Sequence, residues 1–485
     1  MAGNPCPRDE RPKRGFFVSV GSLVSARAFL ALSQILVLPI VARHISIEAF
    51  AVMALAMSVV VFCSVLSDAG LGRSLIRSSG YDLDEWSSVF WLLVAVGITL
   101  AMLTIGLSVP WARFFNEPNL VPVLATLAIV PLCQSISAAP NAEIERRENY
   151  TGIAKVQMIT TVVSLGLAVV LALLGAGVWA LVAQQVALAV VRLMGIFALT
   201  EFRPRLVFSP ALIRPHIKFA RDALLVSAIS VLGGQGAVVA VGKLLGSIPL
   251  GIFSMSQRFS RLPQFGLAGP MSTVVYVRMA KAQDSGPALV SIYLASVRLL
   301  GFAILPAMAL IAAAGSAIFT VFLSEEWARV APIFALSIGG LAIEAVALVC
   351  LTSLFRAVGR TELSVRLSLE SGLLLVGLVG IGAFISLEGV AAAQALWGLI
   401  IVPRGWTLAR RIVPLGLTDC LHAIAPSCIA AVTIAVAHFT LMRMLMFTHV
   451  PEIIMGITIW TLVCGLTYLI CNHSIKDAVE VFKST

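Results

Sequence analysis

The chain has 485 residues, 59% of them hydrophobic and 12% charged, with a mean hydropathy of +1.00. A soluble globular domain of this length is far less apolar. The formal net charge of +10 does not point to nucleic acid either, because the basic residues recur between apolar runs instead of forming one patch, as in a polytopic membrane protein.

The first 15 residues, MAGNPCPRDERPKRG, read as a polar, basic tail. The apolar run behind it is too long for the core of a cleavable signal peptide. From there the sequence predicts an all-α membrane protein of about fourteen transmembrane helices, each on the order of 20 residues or more. They fall near 16–42, 49–70, 88–111, 119–139, 153–174, 178–200, 219–242, 248–273, 290–322, 331–355, 364–386, 389–409, 421–443 and 452–471. Prolines, glycines and charges interrupt 248–273 and 389–409.

The pattern repeats. VARHISIEAFAVMALA at 41–56 aligns with VGKLLGSIPLGIFSMS at 241–256, which pairs Arg43 with Lys243 at a spacing of 200. NLVPVL at 119–124 aligns with RVAPIF at 329–334, and that spacing pairs Arg146 with Arg356. GVWA at 177–180 aligns with GVAA at 389–392, pairing Arg192 with Arg404 at 212. Six spans separate the copies, so both have the same orientation, and parallel repeats imply a pseudo-two-fold axis along the membrane normal with a substrate path between them. The expected plan is a first half at 16–200, a cytoplasmic linker at 201–218 with a short amphipathic surface helix, and a second half at 219–410. Residues 411–485 add two unmatched helices and a short cytoplasmic tail.

With the N-terminus in the cytoplasm, 26 of the 34 Lys and Arg residues fall on the cytoplasmic side. Five lie on the other (Arg43, Arg113, Lys243, Arg329, Arg443) and three within spans (Arg27, Arg192, Arg298). A bias of that size predicts both termini in the cytoplasm. Eight cysteines without CxxC spacing and six scattered histidines predict neither a structural disulfide nor a metal site. No cofactor is expected. No Ser/His, His/Asp or metal constellation suggests an enzyme.

Ionisable residues within spans are the strongest functional pointers, since a charge at mid-membrane costs about 2.5–3.5 kcal/mol and must face protein or water. Arg27 is central in its span; it either pairs with a carboxylate such as Glu344 or binds an anionic substrate. Glu344 is central too and is either that partner or a protonatable coupling site. Glu370, beside Ser368 and Ser371, suits a cavity wall or a packing role. Asp68 precedes Ala-Gly-Leu-Gly and either ends its helix or serves in coupling. Arg298 is a further substrate-binding candidate, although it, Arg192 and the pair Arg221-Asp222 lie near enough to the membrane surface to snorkel. Gly233, Gly234 and Gly236 interrupt the seventh span and are the hinge candidates; close helix packing is the alternative.

From about 16 to 410 the sequence resembles the polysaccharide transporter family, the Wzx-type flippases of the multidrug/oligosaccharidyl-lipid/polysaccharide exporter superfamily. The resemblance rests on LSDAGLGRSLIR (66–77), SSVFWLLVAVGITL (87–100), VPWARFFNEPNLVPVLATLAIVPL (109–132), GKLLGSIPLGIFSMSQRFSRLP (242–263), LSEEWARVAPIFALSIGGL (323–341) and LFRAVGR (354–360). Ala51 departs from the family's usual glycine, whereas its second-half equivalent is Gly251. The resemblance implies two pseudo-symmetric six-helix lobes around a central cavity, as in multidrug and toxin extrusion proteins. It further implies an inner-membrane protein that moves undecaprenyl-diphosphate-linked oligosaccharide to the outer leaflet by alternating access. Membrane lipids, and a polysaccharide polymerase or co-polymerase, are the other implied partners. Export of small drugs or metabolites on the same fold is one alternative; a non-transporting partner of a polymerase is another.

Overall fold

A bilayer offers no water to satisfy backbone N–H and C=O groups, so a chain this apolar closes its hydrogen bonds within helices. The computed structural model describes residues 29–484 apart from positions 31, 32, 35, 69, 79, 446 and 447, and the regular structure among them is helical. Arg27 lies outside the described residues.

The first half begins with α1, described over 36–44. It continues through α2 (Ile47–Asp68), the short α3 (Leu71–Arg77), the long α4 (Leu83–Phe115), α5 (Leu120–Leu127), α6 (Ile129–Arg146), α7 (Tyr150–Leu173) and α8 (Val178–Leu199). The second half runs through α9 (Pro210–Leu245), α10 (Ser247–Ser260), a π-helical turn (Gln264–Ala268), α11 (Gly269–Lys281), α12 (Gly286–Ala313), α13 (Gly315–Phe322), a 3-10 turn (Glu325–Arg329), α14 (Val330–Ala357), α15 (Thr361–Ile385) and α16 (Leu387–Ala409). Last come α17 (Leu417–Leu445), α18 (His449–Ile470) and α19 (Asn472–Ser484). Among the described residues, ten helical stretches are long and apolar enough to cross a membrane, and the protein is a multi-pass membrane protein.

Four expected spans fall outside those ten. Most of 16–42 lies outside the described residues. The seventh belongs to α9, which runs unbroken through Gly233–Gly236, although each glycine costs a helix roughly 1 kcal/mol. The expected interruption there is absent. The eighth is broken, since Pro263 and the π turn divide it into α10 and α11. The twelfth, α16, is a 23-residue helix that carries Glu388, Arg404 and Pro403.

The linker also differs from expectation. Only 201–209 is non-helical, because Pro210 opens α9 as its first residue. This strand-like connection is strapped to α4. The Trp91 indole donates to the Arg205 carbonyl at 2.8 Å. Ser87 and Ser88 hydroxyls accept from the Arg205 and Ser209 amides at 2.9 and 3.0 Å. Phe202 is buried beneath it with Leu75, Trp86 and Phe90. At the far end of the chain, residues expected as a short tail form the helix α19, docked on α12 and α11 with Arg278 over the Phe482 ring at 5.1 Å.

Where two helices cross most closely, glycines permit it. A Cβ at Gly340 on α14 would lie 2.2 Å from the Ala395 carbonyl oxygen of α16, and one at Gly398 would lie 2.2 Å from the Gly340 oxygen. Backbone faces backbone on both sides, as in small-residue crossings of membrane helices. Gly398→Val should therefore remove most folded protein from the membrane, measured as detergent-extracted monomer. Gly377→Ala, where a Cβ would meet nothing within 4 Å, should leave the amount unchanged.

Candidate functional site

α10 is short and apolar at its start, SIPLGIF, but its second half reads SMSQRFS and leads into Arg261. At 100° per residue, Ser254, Gln257, Arg258 and Arg261 fall within an arc of about 100°. Arg258 and Arg261 are solvent-accessible, yet both sit deep among protein atoms. Neither guanidinium donates a hydrogen bond to a described residue. On the same face, the Ser254 hydroxyl and the Gln257 amide nitrogen are buried without a hydrogen-bond partner among the described residues. Buried polar atoms are ordinarily paired. Two cations and two orphaned polar groups in one arc make a surface that fits an oxygen-rich anion.

Glu344 stands against this face. It lies 14 residues after the start of α14 and 13 before its end, is partly accessible, and interacts electrostatically with Arg261. Its cationic neighbour among the described residues is Arg261; the expected pairing with Arg27 falls outside the described residues. Two arginines against one glutamate leave the arc net positive.

Beyond Arg258 the two halves of the chain meet at one end of the bundle. The Arg258 guanidinium lies over the Phe50 ring of α2 at 5.1 Å. Phe50 meets Trp327 edge to face at 5.1 Å. The buried Trp327 indole donates to the Ala42 carbonyl at 2.9 Å. Arg43, in the last turn of α1, donates to the Leu323 carbonyl at 3.0 Å and also to that of Val321. Lys243, in the last turn of α9, donates to the Phe114 carbonyl at 2.7 Å and covers the Phe114 ring at 4.4 Å. A Cβ on Gly251 of α10 would come 2.3 Å from the Ile47 carbonyl oxygen at the start of α2.

The other sequence candidates lie elsewhere. Glu370 of α15 is held by two arginines. Arg404 of α16 pairs with it through two nitrogens, at 2.7 and 2.9 Å, and Arg366 donates at 2.8 Å. Its oxygens are engaged in joining α15 to α16. Arg298 lines a groove of about 410 Å³ between α12 and α19 whose wall also carries Asp477. Asp68 accepts from the Gly72 amide at 3.0 Å, which is the helix-ending role, as a cap for the turn into α3. Gly234 meets nothing, and Gly236 faces Val376 of α15. No group of His, Cys, Asp or Glu among the described residues could hold a metal.

Arg258 and Arg261 escape the sequence reading, which counts them with the cytoplasmic charges because α10 cannot be ended from hydropathy alone. The signal was present: two arginines three apart, beside Ser254 and Gln257, inside an apolar stretch. Moving them into the bundle lowers the cytoplasmic count from 26 to 24 and keeps its excess over 5.

Residues 40–332 match the family model described as polysaccharide biosynthesis protein. The chain is 29% identical over 225 residues to the succinoglycan biosynthesis transport protein ExoT of Rhizobium meliloti, covering 46% of each. It is 22% identical to the teichuronic acid biosynthesis protein TuaB of Bacillus subtilis, over 70% of each. It is 23% identical to the lipopolysaccharide biosynthesis protein WzxC of Escherichia coli, over 66% of this chain and 63% of that one. The chain therefore spans less than half of ExoT and under two thirds of WzxC. Among solved structures it is similar to the lipid II flippase MurJ in an inward closed conformation, with a TM-score of 0.72 and 14% identity over 94% of this chain and 99% of that one. A multidrug resistance transporter of the MATE family, inward-facing, gives 0.60 and 16% over 81% and 94%. These structural likenesses show the fold.

Proposed function

The chain belongs to the polysaccharide biosynthesis protein family, and on that footing we propose that it is a flippase for lipid-linked oligosaccharide. The lipid diphosphate of the cargo is held on the polar face of α10. The observation that carries this reading is the arc of Ser254, Gln257, Arg258 and Arg261. A diphosphate presents several anionic oxygens to two guanidinium forks, and sugar hydroxyls can accept from or donate to the orphaned serine and glutamine. The lipid tail stays in the bilayer while the head group crosses. The net positive charge of the arc disfavours small cationic cargo. Arg27, central in the first span by sequence, is a further cation for the same head group. Glu344, beside Arg261, is the coupling candidate. The cargo is loaded from the cytoplasm, and the end that carries Arg43 and Lys243 faces outward.

The test is transport by the purified protein in vesicles loaded with a defined diphosphate-linked oligosaccharide, read as protection of the sugar from an external lectin. Movement of the diphosphate lipid but not of the same oligosaccharide on a neutral lipid is the expected result. Equal movement of both removes the diphosphate from the reading, and movement of neither removes the flippase. Glu344→Gln should retain binding of the lipid diphosphate while weakening the dependence of transport on an imposed ion gradient. An unchanged gradient dependence makes Glu344 a charge partner of Arg261 only.

A further inference from the structure

The contacts at the Arg43–Lys243 end form a reciprocal pair. Arg43 ends α1 and holds the carbonyls where α13 ends; Lys243 ends α9 and holds a carbonyl where α4 ends. The two cations are 200 residues apart, and Phe114 is 207 to 209 residues before Val321 and Leu323. Both offsets fit the internal repeat. Each half thus lends a cation to the unpaired carbonyls of a helix end in the other, where the helix dipole is negative. Carbonyl–cation bonds of this kind break and remake without unfolding either helix.

This end is joined to the α10 face by one continuous path: Arg258 on Phe50, Phe50 on Trp327, Trp327 to the Ala42 carbonyl next to Arg43. Arg258 is the residue common to the anion-binding arc and to the path. A guanidinium on an aromatic face is attracted as a cation. An anion seated between Arg258 and Arg261 neutralises that charge and draws the guanidinium along α10 toward Arg261. Phe50 then loses the group covering one face, and its packing on Trp327 weakens.

We propose that Arg258 is the positioning residue through which an anionic lipid head group releases the closed end, while Arg43 and Lys243 hold that end shut when the head group is absent. The proposal rests on the reading of α10 as the diphosphate site. It goes beyond that reading in assigning the same arginine to the opening of the Arg43–Lys243 end.

The experiment uses the full chain in lipid nanodiscs, with a fluorescent pair introduced through unnatural amino acids at the exposed positions Asn119 and Glu326. The probe is geranylgeranyl diphosphate, with geranylgeraniol as the uncharged control. In the wild type, the diphosphate and not the alcohol should lengthen the label distance. Arg258→Met should enrich the long-distance population without probe by roughly 2- to 30-fold, the range set by a cation–π contact, and added diphosphate should shift it no further. Phe50→Leu should act in the same direction and serves if Arg258→Met does not fold. Arg43→Ala should also lengthen the distance without probe but keep its response to diphosphate. An Arg258→Met protein that is as closed as the wild type, or that still opens fully with diphosphate, overturns the proposal. Binding of the diphosphate is measured separately. Binding without lengthening in the wild type sinks the trigger alone, whereas no binding sinks the diphosphate reading and the trigger with it.

Discussion

Arg258→Gln combined with Arg261→Gln should abolish movement of diphosphate-linked cargo with near-normal protein in the membrane. Each guanidinium contributes charge-assisted hydrogen bonds, worth about 1.5–3 kcal/mol apiece. Losing one from each arginine weakens head-group binding by roughly two to four orders of magnitude. Glutamine keeps a polar amide of useful length, so the face of α10 stays polar. Neither arginine makes a hydrogen bond to a described residue, so the pair of substitutions breaks no such bond and abundance should hold. Adding Glu344→Gln to the pair restores charge balance, and its melting temperature shows whether Glu344 was left stranded. Wild-type transport rates in the double variant, at matched protein amounts, would falsify the assignment of the α10 face to the cargo.

The helical, multi-pass class was legible because apolar runs of bilayer length admit few other structures. Arg43 and Lys243, aligned in the sequence, each lie in the last turn of a helix. What those cations touch was not legible. Arg43 reaches carbonyls about 280 residues away, and carbonyls carry no side-chain signature. Glu370 looked solitary because its partner Arg404 lies 34 residues on. Yet Ser386 caps the turn between α15 and α16, and residues 16 before and 18 after that turn lie side by side in a helical hairpin. Arg261 and Glu344 come together only through the packing of α10 on α14, which no local pattern encodes. Boundaries failed where a proline or a break altered the helix without altering its hydropathy, as at Pro210 and Pro263.

Gly251→Leu should stop transport by preventing the Arg43–Lys243 end from closing. A Cβ at this position would lie 2.3 Å from the Ile47 carbonyl oxygen and 3.0 Å from its carbon, and backbone cannot rotate aside as a side chain can. Leucine therefore wedges the start of α10 away from the start of α2. Phe50, three residues beyond Ile47, and Leu250 are buried in the same packing, so the wedge also parts Phe50 from Trp327. Alternating access requires that one end seal before the other opens, and a protein that cannot seal here binds cargo without moving it. Gly251→Ala should show an intermediate defect, since its methyl meets the same oxygen with less bulk behind it. Ala51, the counterpart in the first half, is fully buried and accommodated, which marks the tight approach as a feature of the second copy. Gly339→Ala, where a Cβ would meet nothing within 4 Å, is the control and should transport normally. The readouts are sugar translocation in vesicles and the distance between labels at Asn119 and Glu326. The expected Gly251→Leu protein is inserted, retains diphosphate binding, holds the long distance with or without cargo, and translocates at background. Translocation at the wild-type rate would mean that the approach of α10 to α2 is no part of the transport cycle.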